Sequence, residues 1–448
     1  MENTGGSTKQ LKQILGFGDL MGAAVGQIIG SGVMTLIGIA IALTGRSVPF
    51  AFIVTAVLVV CGLLSLIFIS GTVRLRGGQY TMVSMLMGEK FAGAYTIIYV
   101  VSNLSISMYA LSFASYFISL FGFGNEKIIA FLVLTLFFVL NCLGVDKFAK
   151  VQNLIVICLS IALALFAIFG LRNISPDYFA SETFMPNGIG GFLRASSLLT
   201  FALGGANCIV NLSAEAKNPV RDVPLSMICA TALVAVLYGI VAFVAAGVLP
   251  LEQVAGQNLS LVAKAVLPNA LYVFFMVCGA GFALISTMNS QFAWAPKPVL
   301  QACDDGWLPA GLAKLSKWKT PYILMGILYG LGVICIFTGL SVAVLGNISL
   351  IATSVVGLMI SANLWRLPKV CPEEWAKSRY RVSQNVLTTI SGIAICSSVL
   401  NIYLNATQLS TPLLVANVAV IAGAFVFSFL RSKHVHMEIS YESVSDKS

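Results

Sequence analysis

Uncharged stretches divide this chain more regularly than any other feature. Runs without Asp, Glu, Lys or Arg occupy 20–45, 47–73, 91–125, 128–145, 151–171, 195–214, 223–251 and 265–296. Two longer runs, 320–365 and 382–430, hold 46 and 49 residues, enough for two spans each. A helix that crosses the hydrocarbon core of a bilayer needs about 20 apolar residues. Eight single runs and two double ones therefore predict twelve transmembrane helices and an all-α integral membrane protein. Composition agrees: 58% of the 448 residues are apolar, 10% are charged, and the mean hydropathy is +0.93. A soluble domain carries roughly a quarter charged residues. The pattern excludes a soluble enzyme, a nucleic-acid binder and a single-span receptor with a large ectodomain.

The net charge of +9 gains meaning from its placement. With a cytoplasmic N-terminus, the helices alternate direction and each loop acquires a side. Twenty-one of the 26 Lys and Arg residues then lie inside, and only Arg46, Lys127, Arg172, Arg194 and Lys264 lie outside. This is the bias of the positive-inside rule. It predicts a multi-pass protein of the cell membrane with both termini cytoplasmic. Residues 1–12 are polar and show no cleavable signal peptide. The ten cysteines form no CxxC pair and read as small packing residues. Both histidines, His434 and His436, fall in the polar tail. With no His or carboxylate cluster in the spans, metal hydrolysis and triad chemistry lack their parts, so an enzyme is not expected.

Two spans are not smooth apolar rods. The first carries Gly22, Gly26, Gly30 and Gly32, with Ser31 at its centre; the sixth carries Phe201-Ala-Leu-Gly204-Gly205-Ala-Asn207. Each opens a set of five spans, and glycine interruptions at corresponding places in two halves point to an inverted-repeat transporter. Close helix packing of the small-xxx-small kind is the other reading of Gly22, Gly26 and Gly30. At a helix break, unpaired amides carry partial positive charge and unpaired carbonyls partial negative charge. A zwitterionic amino acid matches such a pair of ends without any charged side chain. On this reading the amides of Ser31, Gly32 and Val33, with the Ser31 hydroxyl, take a carboxylate. The carbonyls of Gln27 and Ile28, and of Phe201, Ala202 and Leu203, take an ammonium.

These residues resemble the amino acid–polyamine–organocation (APC) transporter family over roughly 16–370. Gly30-Ser-Gly-Val33 is similar to its first-helix break, and Arg76-Gly-Gly-Gln-Tyr80 to its Gly-Gly-x-Tyr segment. Glu215-Ala-Lys-Asn-Pro219 is similar to its Glu-x-Lys-Asn-Pro stretch, and Asp304-Asp-Gly-Trp-Leu-Pro309 to its loop after the eighth helix. The resemblance implies a five-plus-five inverted repeat with helices 1 and 6 broken, of the LeuT-like kind. It implies an N-terminal tail 1–15, repeats 16–172 and 173–366, helices 11–12 within 367–430, and a C-terminal tail 431–448.

The same resemblance makes Phe201 the aromatic residue that closes over substrate and Asn103 a polar residue lining it; Asn103 as an interhelical hydrogen bond is the competing reading. Gln291 falls where the family's arginine/agmatine antiporter has a tryptophan that stacks on a guanidinium. Leu159 falls where proton-coupled members carry a lysine, and Asn207 where many relatives carry an acid. Ala283-Leu-Ile-Ser286-Thr287 is similar to the sodium site of sodium-coupled members, to be completed by carbonyls near Ala23 and Gly26. Alternatively, Ser286 and Thr287 bond back to their own helix. No cofactor is expected beyond a coupling Na+ or H+.

The expectation is a secondary transporter of amino acids, neutral ones preferred, working by alternating access as an exchanger or ion-coupled permease. A polyamine or basic amino acid antiporter and a non-transporting sensor on the same fold are the alternatives. A bilayer and a homodimer contact through helices 11 and 12 are the expected partners, nucleic acid is not, and Pro296 and Pro298 are expected to terminate or kink the eighth span, in a loop role before a gate.

Overall fold

A computed structural model describes residues 7–339, 342–407, 409–435, 437 and 441–442. The rest of the expected 431–448 tail, the side chain of His434 and all of His436 included, lies outside the described residues. Helices dominate because a chain this apolar must satisfy its backbone polar groups internally. Among the described residues, nine helical stretches are long and apolar enough to cross a membrane, and the apolar helix Tyr322–Thr338 is somewhat shorter.

The helices follow in order: α1 Phe17–Ile28, α2 Ser31–Thr44, α3 Val48–Ser70, α4 Gln79–Met87, α5 Glu89–Ser102, α6 Ser105–Phe121, α7 Glu126–Cys142 and α8 Val145–Leu171. After the short α9 Ser181–Phe184 come α10 Gly188–Leu203, a 3-10 segment Ala206–Glu215 and α11 Pro219–Gly247. Then come α12 Leu251–Val254, α13 Leu259–Val266, α14 Asn269–Phe274, a π-helical segment Phe275–Gly281, α15 Phe282–Trp294 and α16 Pro296–Asp304. The chain ends with α17 Tyr322–Thr338, α18 Val342–Ser361, α19 Leu367–Val370, α20 Pro372–Lys377, α21 Gln384–Ala406 and α22 Thr411–Arg431.

Local chemistry sets several boundaries. Asn125 caps α7, its Oδ1 accepting from the amides of Lys127 and Ile128 at 3.0 and 3.3 Å. Asp19 does the same in reverse for α1, accepting from the Gly16 amide at 3.0 Å. Of the two outcomes expected at Pro296, the span is interrupted there but not ended in a loop. Pro296 stands at the first position of α16, where its missing N–H and fixed φ cost nothing, so the helix resumes. The uncharged run 91–125 is likewise two helices, α5 and α6, divided at Asn103 and Leu104.

Four helix pairs build the centre: α2 packs on α10, α3 on α11, α6 on α15, and α7 on α17. Broken α1 is enclosed by α8, α11 and α15. Helices α21 and α22 pack from outside, on α3 and α18 and on α5 respectively. Only 17% of each of these two spans is buried within the protein, against 61% of the span from Gly188 to Glu215. They form a periphery that leaves the central helices' arrangement intact.

Both tails are tied down at one end of the bundle. Ser7–Gln10 forms a 3-10 turn, with Ser7 Oγ donating to Asp304 at 2.5 Å and Thr8 Oγ1 to Gln301 at 2.7 Å. Leu15 bridges to the segment after the 3-10 turn, its amide donating to Glu215 O at 3.0 Å and its carbonyl accepting from Lys217 at 2.9 Å. At the other terminus Tyr441–Glu442 pairs antiparallel with Arg74–Leu75, and Arg76 Nε donates to Glu442 at 2.7 Å.

Candidate substrate site at the helix breaks

The first span breaks at Ile29 and Gly30. The Ile29 amide still bonds Val25 O at 2.8 Å, whereas Gly30 turns back on Ile28 O at 2.9 Å, and α2 starts at Ser31 with no side-chain cap. Its first amides therefore have no intrahelical acceptor. The sixth span breaks at Gly204 and Gly205. The latter has φ +123°, a backbone that an L side chain resists.

The two breaks touch. A Cβ placed on Gly32 would lie 2.8 Å from Ala202 Cα, and one on Gly205 would lie 3.1 Å from Gln27 O. Gly32, Val33, Ala202 and Leu203 are buried, and Phe201 is half-buried against the cluster of α6, α7 and α15. The glycine stripe expected as either a break or a packing face is both. Cβ atoms on Gly22 and Gly26 would fall 2.1 Å from Asn153 Oδ1 and 1.8 Å from Gln152 Nε2.

Of the expected ammonium acceptors, Ile28 O is already engaged by the Gly30 amide, and at 3.5 Å by the Tyr238 hydroxyl. The turn that breaks the helix thus takes up one lone pair of this carbonyl. Gln27 contributes a side chain as well, its Oε1 accepting from Trp294 Nε1 at 3.0 Å. The side chain of Ser31 lies outside the described residues.

Asn103 and Gln291 meet. Gln291 Nε2 donates to Asn103 Oδ1 and Ser105 Oγ, both at 3.0 Å, while Asn103 Nδ2 donates to Tyr99 O at 2.8 Å. The buried Gln291 Oε1 has no partner among the described residues. One acceptor thus stands ready for a ligand donor or a water beside the α5–α6 break. Asn103 makes the interhelical hydrogen bond to Gln291.

The residues expected to hold sodium also converge, but on each other. Ser286 Oγ and Thr287 Oγ1 both donate to Gly26 O, at 3.0 and 3.1 Å, and Thr287 bonds back to Ala283 O at 3.0 Å. Ser290 Oγ reaches Ala23 O at 3.3 Å. Sequence reasoning missed the neighbour that decides this corner. Gln152 Nε2 donates to Ser286 Oγ at 2.8 Å and approaches Gly22 O at 3.4 Å. Gln152 Oε1 accepts from Asn289, and Asn289 Oδ1 accepts from Asn141, both at 2.8 Å. A chain of three carboxamides thus runs from α7 through α15 and α8 to the first break. All three are buried.

Below the breaks, at the end that holds the tails, Lys297 Nζ bonds Glu215 Oε1 at 2.6 Å, with side chains 4% and 1% exposed. Beside this pair, Tyr80 donates to Asp305 Oδ2 at 2.7 Å, and Gln301 to Asp305 Oδ1 at 2.9 Å. Burial, then the adjacent Asp305 charge, hold the Tyr80 hydroxyl well above its ordinary pKa, so it remains a donor. The sequence signal for the ion pair was present, because Glu215 and Lys297 are the charges that terminate two uncharged runs. Nothing in one-dimensional spacing shows that the two ends meet.

Residues 15–427 match the amino acid permease family. The chain is 27% identical to a branched-chain amino acid permease of Bacillus subtilis over 339 residues, covering 70% of this chain and 72% of that protein. It is 25% identical to the serine/threonine exchanger of the same organism, over 72% of this chain and 76% of the relative. It is also 27% identical to a cationic amino acid transporter of Arabidopsis thaliana, over 55% of this chain and 47% of the relative. These relatives are transporters, and with the membrane-spanning helices and the paired breaks the match over most of the chain decides the class: this protein belongs to the amino acid permease family of membrane transporters and is not an enzyme.

Proposed function

We propose that this chain is a secondary transporter for small neutral amino acids that works by alternating access. It has twelve spans with both termini cytoplasmic in the cell membrane, arranged as inverted repeats 16–172 and 173–366 with helices 11 and 12 outside. The observation that carries the reading is the contact of the two breaks, Gly32 on Ala202 and Gly205 on Gln27. Amide ends and carbonyl ends meet there within a shell that needs no charged side chain. The pairing of α2 with α10, α3 with α11, α6 with α15 and α7 with α17 supports the repeat, since each pair joins corresponding spans of the two halves.

A neutral cargo is favoured by the side chains around the breaks. Gln291, Asn103 and Gln27 offer amides, and Asn207 stands where an acid would recognise a second ammonium. The branched-chain and serine/threonine relatives, each matched over 70% or more of this chain, agree with this preference, whereas the cationic transporter is matched over 55%. For coupling, exchange without an ion is the preferred mode. The Gln152 carboxamide already donates to Ser286, an oxygen that a sodium ion would need, and a neutral amide carries no proton to exchange.

Counterflow in proteoliposomes tests the reading. Vesicles preloaded with unlabelled leucine, serine or threonine should accumulate the labelled amino acid without sodium or a pH gradient. Absence of counterflow together with strictly gradient-driven uptake would overturn exchange, and arginine as the preferred cargo would overturn the neutral site.

A further inference from the structure

We propose that the protein holds an anionic phospholipid at a fixed site between α5, the α15–α16 junction and α17. One acyl chain lies in an apolar cleft and the phosphate sits on the lysines of the following loop. The cleft encloses about 80 Å³, within about 470 Å³ of unfilled space that includes its open mouth, and Val100, Val299, Leu308, Leu312, Ile327 and Leu331 are among its walls. Its lining contains one polar side chain, Asn103, so the chemistry it can accommodate is hydrocarbon. Ile327 is 42% exposed at the mouth, on a helix that faces lipid in a membrane.

Charge selects among hydrocarbon-bearing ligands. Leu312 and Leu324 both line the cleft, and the chain between them carries Lys314, Lys317 and Lys319, all exposed. From Gly306 to Pro321 there is no acidic residue. Lys317 lies over the Trp318 ring at 4.4 Å, and Trp318 is itself 37% exposed, as is usual for a tryptophan at a membrane interface. The α17 end next to the loop is therefore an interfacial level, where a phosphate on the lysines leaves its chain pointing along Leu324, Ile327 and Leu331. A zwitterionic lipid fits the cleft but cancels the attraction, and a soluble phosphate fits the lysines but leaves the cleft empty. Occupancy also borders the transport site, because Asn103 faces the cleft and bonds Gln291.

Native mass spectrometry of the full-length protein titrated with phosphatidylglycerol or phosphatidylcholine tests this. A lysine near an anionic headgroup strengthens binding about fivefold, so three give a phosphatidylglycerol preference of about a hundredfold or slightly more. The K314Q/K317Q/K319Q variant should lose most of that preference while remaining monodisperse, because all three side chains are exposed. Ile327→Trp, which plugs the mouth, should weaken retention of both lipids. Equal retention of the two lipids by the unaltered protein, an unchanged preference in the triple variant, or unchanged retention in Ile327→Trp would each overturn the site. So would glycerol phosphate competing as well as the intact lipid.

Discussion

Removing one partner of the Glu215–Lys297 pair should damage the protein far more than removing both. The two charges are 2.6 Å apart and almost fully enclosed, and Glu215 Oε2 has no hydrogen-bond partner among the described residues. Lys297→Met leaves the carboxylate dry and uncompensated, and Glu215→Leu does the same to the ammonium. Breaking a buried pair in this way costs about 3–5 kcal/mol, whereas replacing both members by apolar residues is often neutral. Independent effects would sum to about 6–10 kcal/mol in the double variant. Mutual dependence should instead bring the double variant to within about 2 kcal/mol of the parent, a coupling of about 4 kcal/mol or more. Unfolding in mixed micelles against a denaturing detergent, for the parent, both single variants and the double, gives all four corners. Single variants within about 1 kcal/mol of the parent, or additive losses, would refute the reasoning. The proposed alternating access adds a second readout. On that proposal the end holding this pair hydrates when it opens, and water relieves the unpaired charge, so each single variant should spend more time open at that end. Labelling of buried Cys303, six residues beyond Lys297, by a thiol reagent should then rise in the single variants and fall back in the double.

Further outcomes follow from the same geometry. Gln152→Leu removes donors to Ser286 and an acceptor from Asn289, and should cost about 1–3 kcal/mol for each partner left dry, with slowed counterflow that sodium does not restore. Restoration by sodium would show that an ion takes the amide's place. Gly32→Ala drives a methyl to 2.8 Å from Ala202 Cα, so the breaks must part, and amino acid affinity should fall about tenfold or more in a scintillation proximity assay. Gln291→Leu deletes the buried free acceptor and the bonds to Asn103, and should raise KM for serine more than for leucine. Tyr80→Phe should destabilise by about 1.5–3 kcal/mol, because a hydrogen bond to a carboxylate is lost inside the protein.

Much of the architecture was legible because a bilayer enforces a coarse code. Uncharged runs had to be helices, and α17, α18, α21 and α22 emerge from the two double-length runs as expected. The breaks were legible because glycine clusters have few other uses at matching positions in two halves. The third break, at Asn103 and Leu104, was hidden inside a run that is uncharged on both sides. The carboxamide chain was hidden for another reason. Asn141, Gln152 and Asn289 are isolated polar residues on three helices, and only the packing of α7, α8 and α15 makes a line of them. The local meaning of Pro296 depends on whether a helix restarts at it, which spacing alone does not decide.

The ties at the terminal end also fix an order of assembly. Ser7 finds Asp304 across 297 positions of sequence, and Arg76 finds Glu442 across 366. A growing chain therefore presents the docking segment first and its receptor only after the α16 turn has been made, and the strand that covers Arg74 comes last of all. Contacts of such separation close late. During biosynthesis, this end of the bundle stays unsealed until Glu442 has been made, so no product truncated before it can carry the finished seal.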